Sequence, residues 1–315
     1  MISLSDIQTA RRVVQRVVHR TPLLTSATVN QHTGNTVFFK AENLQRIGAF
    51  KIRGAYNTIA SLTAEERQRG VVAHSSGNHA QGVALAARLL GVRATVVMPK
   101  GSLPNKVEAT RSYGAEVVFS EDSSDDRARV ASRLAAEHGY VPVPPFDDDR
   151  IIAGQGTVML EIAEEIANLD AVFVPVGGGG LIAGIAVAAK HLNPGIRVIG
   201  VETEPANDCY QSFRKKTIVR IDPPETIADG MRTQSVGERN FEIILRYVDD
   251  VVTVTDEQVI AMMKFFLTRM KTVVEPTGAV APAAVYHNVT GLSGKTVCAV
   301  ISGGNVDPEF LKRIL

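Results

Sequence analysis

The chain has 315 residues, 45% of them hydrophobic and 21% charged, with a net charge of +1. The length allows two domains or one large α/β unit with a sizeable core, and the near-neutral charge, without an aromatic-interleaved basic stretch, argues against a nucleic-acid or anionic-membrane partner. Two cysteines, Cys209 and Cys298, fit neither a metal-ligand spacing nor a disulfide framework, so a reducing compartment is expected.

The opening segment MISLSDIQTARRVV has no apolar signal run, and the longest apolar stretches are strand-length, so a cytoplasmic chain without membrane spans is expected. Val/Ile-rich runs at 37–39, 71–73, 94–98, 117–119, 171–176, 198–201, 251–254 and 297–301 read as strands buried on both faces. Between them, 79–90, 126–138, 156–167 and 256–270 carry helical spacing. That alternation predicts an α/β fold of parallel sheets with crossover helices. Two polar breaks, TAEERQRG at 63–70 and VPVPPFDDDR at 141–150, suggest a small domain, 65–144, inserted into a larger one built from 1–64 and 145–315. About ten residues follow the last glycine motif, so no fused regulatory domain is expected there.

In chain order, Lys51 comes first among the chemical signals. It lies between Phe50 and Ile52 in AFKIRGA. Apolar neighbours and the nearby charge of Arg53 would both lower its pKa, as a Schiff-base amine requires. Read alone it is more readily a surface lysine with a buried stem, the usual fate of such a residue. HSSGNHAQG, 74–82, follows a strand and opens a helix, where two hydroxyls, an amide and fresh N–H donors suit a carboxylate or simply cap the helix. VFVPVGGGGLIAG, 172–184, is the strongest local signal. Gly177, Gly178, Gly179 and Gly180 leave backbone N–H groups bare at a helix N-terminus, a cradle for phosphate. No Lys-Ser/Thr pair follows, so a nucleotide P-loop fails, but Gly178, Gly180 and Ala183 with Glu202 fit a dinucleotide spacing, leaving an NAD-dependent oxidoreductase as a remote alternative. ISGGNVD, 301–307, adds the hydroxyl of Ser302 after another strand. In a parallel sheet all such loops meet at the carboxyl ends of the strands.

Taken together, AFKIRGA, SSGNHAQG, IAGQGT, VPVGGGGLIAG, PPETIADG, VEPTGA and SGGNVD resemble the pyridoxal-phosphate (PLP) dependent threonine/serine dehydratase and serine racemase family, over nearly the whole chain. The resemblance implies the fold type II architecture, two parallel-sheet three-layer domains with the cofactor in the cleft between them, usually as a homodimer. It implies that Lys51 is the Schiff-base lysine, that Phe50 packs on the cofactor ring and that Asn78 bonds the ring hydroxyl. Gly177, Gly178, Gly179 and Gly180 would hold the phosphate, and Ser302 would face the pyridine nitrogen. A neutral hydroxyl there makes the ring a weaker electron sink, which favours prompt loss of a β-leaving group. The implied activity is removal of water and ammonia from a small β-hydroxy amino acid, L-threonine or L-serine, giving a 2-oxo acid, with Lys51 taking the α-proton. Ser75, Ser76, Gly77 and His79 would receive the substrate carboxylate.

Other details of the resemblance lean elsewhere. Ser76 sits where serine racemases place a second base, and Arg127 matches a racemase-like arginine near the substrate's distal end. VETEPANDCYQS resembles the divalent-cation site of that branch, with Glu202, Ala206 and Asp208 as ligands for Mg²⁺ or Ca²⁺, although an acidic pair is also an ordinary solvated turn. PPFDDDRIIAGQGT and MPKGSLPNK look like threonine dehydratases. Serine racemase and 3-hydroxyaspartate ammonia-lyase activities therefore stand beside the dehydratase reading. Lacking a C-terminal extension, the chain is expected to escape the feedback control of biosynthetic threonine dehydratases.

Overall fold

A computed structural model describes residues 1–75, 77–121 and 124–315. Ten strands are present among the described residues: β1 (Leu23–Thr25), β2 (Thr36–Ala41), β3 (Val71–His74), β4 (Ala94–Pro99), β5 (Glu116–Ser120), β6 (Val141–Pro142), β7 (Ala171–Pro175), β8 (Arg197–Thr203), β9 (Asp250–Val254) and β10 (Thr296–Ile301). They form two sheets. The larger runs β1-β2-β10-β7-β8-β9 and the smaller β5-β4-β3-β6. Every pairing is parallel except β1 with β2. The smaller sheet is drawn wholly from residues 71–142, and the larger from the chain on either side.

All eight expected strands occur. Where both faces are covered, as for β7 and β8 of the larger sheet, the unbroken apolar run follows; β5 departs from the expectation, being an edge strand of the smaller sheet with Phe119 exposed. Val172, Val174 and Val198 pack into one core with Ile152 and Ile182, while Phe173, Ile199 and Val201 pack into another with Phe39 and Phe266. β1 and β6 escape a reading based on apolar runs because they span only three and two residues. The helix expected over 256–270 is α-helical over Asp256–Phe265 and closes with a π-helical turn, Phe266–Met270.

Glycines bring three helices of the larger lobe close enough to fix its geometry. A Cβ on Gly154, in helix Asp149–Glu165, would lie 2.6 Å from the Cα of Gly54 in helix Ile52–Ala60. One on Gly184, in helix Gly180–Leu192, would lie 2.3 Å from the carbonyl oxygen of Ile152. Real side chains cannot approach backbone so closely, so these positions exclude a Cβ unless a helix shifts. The glycines of IAGQGT are thereby explained by helix packing. No helix among the described residues is long and apolar enough to cross a membrane.

Candidate active site

The carboxyl ends of β3, β7 and β10 converge on a cavity of about 330 Å³. Phe50, Lys51, Ser75, Gly77, Asn78, His79, Arg127 and Ser302, with the loop of four glycines, all line it. Residues distant in sequence are thus brought together as the strand-end argument requires. Ser76 lies outside the described residues.

Lys51 immediately precedes helix Ile52–Ala60. Its Nζ donates to the carbonyl of Pro145 at 2.7 Å and lies 5.3 Å from the centre of the Phe50 ring. Burial lowers its pKa from 10.5 to about 8. The expected help from Arg53 is not found. That guanidinium is fully buried and pairs with Glu42 at 2.7 Å and Glu161 at 2.8 Å. Lys40 joins Glu161 at 2.7 Å. Arg53 belongs to a closed ion network under the Lys51 helix, and its charge is neutralised there.

The glycine loop links β7 to helix Gly180–Leu192, with Gly179 in the left-handed region at φ +93°. A Cβ on Gly178 would lie 2.2 Å from the Phe146 ring, and one on Gly177 would lie 2.9 Å from the carbonyl oxygen of Gly230. The carbonyl of Gly178 is taken by the Asn240 amide at 2.7 Å and by the N–H of Gly237 at 3.1 Å. Carbonyls are thus drawn to protein partners at a helix N-terminus, and the loop has the chemistry of an anion cradle.

Opposite it, helix Asn78–Leu89 begins at the cavity wall. The N–H of Gly77 donates to the Ser75 hydroxyl at 3.3 Å. The His79 side chain departs from its expected role. Its Nε2 lies 3.0 Å from the carbonyl oxygen of Val143, to which it can only donate. Burial first, then the charge of Lys51, lowers its pKa to about 3. A neutral ring with its donor already used cannot receive a carboxylate, so what His79 offers is its backbone N–H in the helix's first turn. Asn78 donates to Glu275 Oε1 at 2.7 Å and accepts from Asn305 at 2.8 Å. The Ser302 hydroxyl lies 3.4 Å from the carbonyl of Thr277, a long contact that its O–H can leave to donate to a ring nitrogen.

Several wall residues were not singled out from sequence. Glu275 is 2% exposed, and burial, then the charge of Asp229, pushes its pKa up to about 7. Lys106 pairs with Asp229 across the cavity mouth, joining the two lobes. Burial pulls the Lys106 pKa down, but Asp229 and Glu275 outweigh it and hold the ammonium above its ordinary value. Burial and the charge of Arg127 lower the pKa of His74. Glu275, Lys106, Asp229 and His74 fall inside VEPTGA, MPKGSLPNK, PPETIADG and HSSGNHAQG, so the motifs marked the segments but not which side chains turn inward.

A model of the family described as pyridoxal-phosphate dependent enzyme matches residues 14–303. The chain belongs to this family. Over 302 residues it is 48% identical to L-threo-3-hydroxyaspartate ammonia-lyase of Saccharomyces cerevisiae, covering 96% of this chain and 93% of the relative. It is 46% identical to L-threonine ammonia-lyase of Thermotoga maritima, over 100% of this chain and 78% of that one. Maize serine racemase superposes with a TM-score of 0.96 at 39% identity, over 99% of this chain and 96% of that structure.

The residues present fit pyridoxal phosphate. An amine with a lowered pKa and a cradle no Cβ could enter share one cavity with the Asn78 amide and the Ser302 hydroxyl. The NAD alternative is overturned. Glu202, its required ribose partner, is fully buried and accepts from the N–H groups of Cys209 at 3.2 Å and Tyr210 at 2.6 Å.

Glu202, Ala206 and Asp208 sit apart from the cavity, all fully buried. Thr203 and Ala206 pair in a short bridge that folds the segment back after β8. Burial and the Asp208 charge drive the Glu202 pKa well up, and burial raises Asp208 to about 7. Neither Asp208 oxygen has a well-formed hydrogen bond, and the backbone of Val236 and hydroxyl of Thr233 offset only part of burial's effect. Two adjoining buried carboxylates, the Asp208 oxygens orphaned and those of Glu202 held by backbone N–H groups, have the donor chemistry of a hard-cation site.

Proposed function

We propose that the protein is an ammonia-lyase that eliminates water and ammonia from L-threonine or L-serine. One observation carries this reading: an amine whose pKa is pulled to about 8 and a four-glycine anion cradle line the same cavity. When bound, pyridoxal phosphate supplies an aldehyde for the Lys51 amine and a conjugated ring that withdraws electrons from the substrate's α-carbon. Gly177, Gly178, Gly179 and Gly180 hold the phosphate, Phe50 packs on the ring, Asn78 donates to the ring oxygen and Ser302 faces the ring nitrogen. Ser75, Ser76, Gly77 and the first-turn N–H of His79 bind the substrate carboxylate at the helix N-terminus. Lys51, with its lowered pKa, has an appreciable neutral fraction near neutral pH and takes the α-proton as a general base. The β-hydroxyl leaves, and hydrolysis of the unsaturated amine yields a 2-oxo acid and ammonia.

A second substrate, L-threo-3-hydroxyaspartate, is favoured by the charge of the wall. Besides Lys51, the cationic Lys106, Arg127, Arg220 and Arg232 line the cavity against the acidic Asp229 and Glu275. A distal carboxylate suits that balance better than a methyl group does. The decisive assay offers PLP-loaded protein L-threonine, L-serine and L-threo-3-hydroxyaspartate, measures 2-oxo acid and ammonia, and tests recovered serine for inversion. Inversion lost in Ser76→Ala, with elimination retained, would assign Ser76 the racemase base. Protein that takes up no PLP and makes no 2-oxo acid from any of the three would refute the reading.

We further place a divalent cation, Mg²⁺ or Ca²⁺, at Glu202, Ala206 and Asp208. The cation should raise the melting temperature of the wild-type protein and not that of Asp208→Asn. A homodimer in the cytoplasm completes the proposal, with light scattering as its check.

A further inference from the structure

We infer that Glu275 and Asn305 are positioning residues that lock the amide of Asn78, so that it presents an N–H, and not its carbonyl, to the ring of the bound cofactor. The inference rests on the functional reading above, in which Asn78 meets that ring.

A carboxamide has nearly the same shape at both ends but opposite polarity. Unconstrained, it can turn either its acceptor or its donors toward a ligand. At Asn78 both ends are fixed. Asn305 Nδ2 donates to the backbone carbonyl of Ile47 at 2.7 Å, and a carbonyl can only accept. That bond orients the Asn305 amide, whose Nδ2 also reaches Asn78 Oδ1 at 2.8 Å. On the other side Asn78 Nδ2 meets Glu275 Oε1 at 2.7 Å. Flipping Asn78 would set N–H against N–H and oxygen against oxygen, two repulsive contacts in a half-buried place. Polarity therefore passes from a backbone carbonyl through Asn305, and Glu275 enforces the same sense from the far side. One N–H of Asn78 remains for the cavity.

The braces are themselves seated. Glu275 precedes helix Pro276–Tyr286, and its backbone N–H donates to the carbonyl of Gly303 at 3.1 Å. A Cβ on Gly303 would lie 2.3 Å from Glu275 Oε1, and one on Gly48 would lie 2.5 Å from Asn305 Oδ1. Two glycines thus make room for the two braces. The consequence is chemical. A donor facing the ring oxygen stabilises it without its proton, whereas a carbonyl would require the proton to stay.

The test compares visible absorption and cofactor affinity of the loaded wild-type protein with Glu275→Leu and Glu275→Gln. Loss of the brace in Glu275→Leu should lower the visible band relative to the near-ultraviolet band. It should also weaken cofactor binding by about tenfold, the worth of one hydrogen bond. Glu275→Gln, which keeps an acceptor carbonyl, should retain most of both. Wild-type spectrum and affinity in Glu275→Leu would overturn the inference, as would equal damage in Glu275→Gln. Should Glu275→Leu fail to fold, Asn305→Ala removes the opposite brace and must shift the band the same way, or the inference falls. A wild-type protein that takes up no cofactor would instead sink the functional reading, before any variant is compared.

Discussion

Lys51→Met should abolish lyase activity and make the cofactor-free protein more stable. Burial holds the Lys51 pKa at about 8 against an ordinary 10.5. The folded chain therefore binds this proton more weakly than the unfolded chain, and folding is opposed wherever the unfolded lysine is charged. The full opposition, reached well below about pH 8, is about 3 kcal/mol. Methionine keeps the bulk and removes the charge, but leaves the Pro145 carbonyl without its donor, at about 1 kcal/mol. A net gain of about 2 kcal/mol is expected near pH 6.5. The advantage should shrink by about 2 kcal/mol near pH 9.5, because the wild-type folded lysine is then already neutral. Urea unfolding of both proteins, stripped of cofactor, at the two pH values measures this directly. A Lys51→Met protein no more stable than wild type near pH 6.5, or equally favoured at both values, would refute the claim that the site stores its activation as burial of the amine.

Three further outcomes are expected. Arg53→Met leaves Glu42 and Glu161 buried without their main partner and should cost about 3–5 kcal/mol in denaturant unfolding. Gly154→Ala sets a methyl against the backbone of Gly54 and should cost about 1–3 kcal/mol, with lower lyase turnover because the Lys51 helix moves. The depressed pKa of His79 means the unfolded chain binds its proton first as pH falls. Stability should then decline by about 1.4 kcal/mol per pH unit from about 6.5 toward 3, and His79→Gln should flatten that acid slope in cofactor-free protein.

Much of this molecule was legible before its structure. Val/Ile runs mark the strands, and β7, in the interior of the larger sheet, is apolar throughout because both its faces are covered. Gly177, Gly178, Gly179 and Gly180 announce themselves because backbone must meet a ligand without side chains. The environment of Lys51 was harder. Its apolar neighbours pointed to a lowered pKa, yet the sequence could not show that Arg53, two residues on, turns into the core toward Glu42 and Glu161. Nor could the sequence show that the ring donor of His79 is taken by Val143, 64 residues away, leaving only its backbone N–H for a carboxylate. Glu275 and Asp229 were invisible as site residues for the same reason. A carboxylate's role depends on which way its side chain points and on partners distant in sequence.

The pairing order has a bearing on how the protein is made. β10 lies between β2 and β7 in the larger sheet, and residue 296 pairs with residue 36. During synthesis the strand that completes the middle of that sheet emerges long after both its neighbours. Until then β2 and β7 each present an unpaired apolar edge. Contacts of such sequence separation fold slowly and expose the nascent chain to aggregation. The larger lobe should therefore close only after residue 301 has left the ribosome, and chaperone demand during expression should be concentrated in that interval.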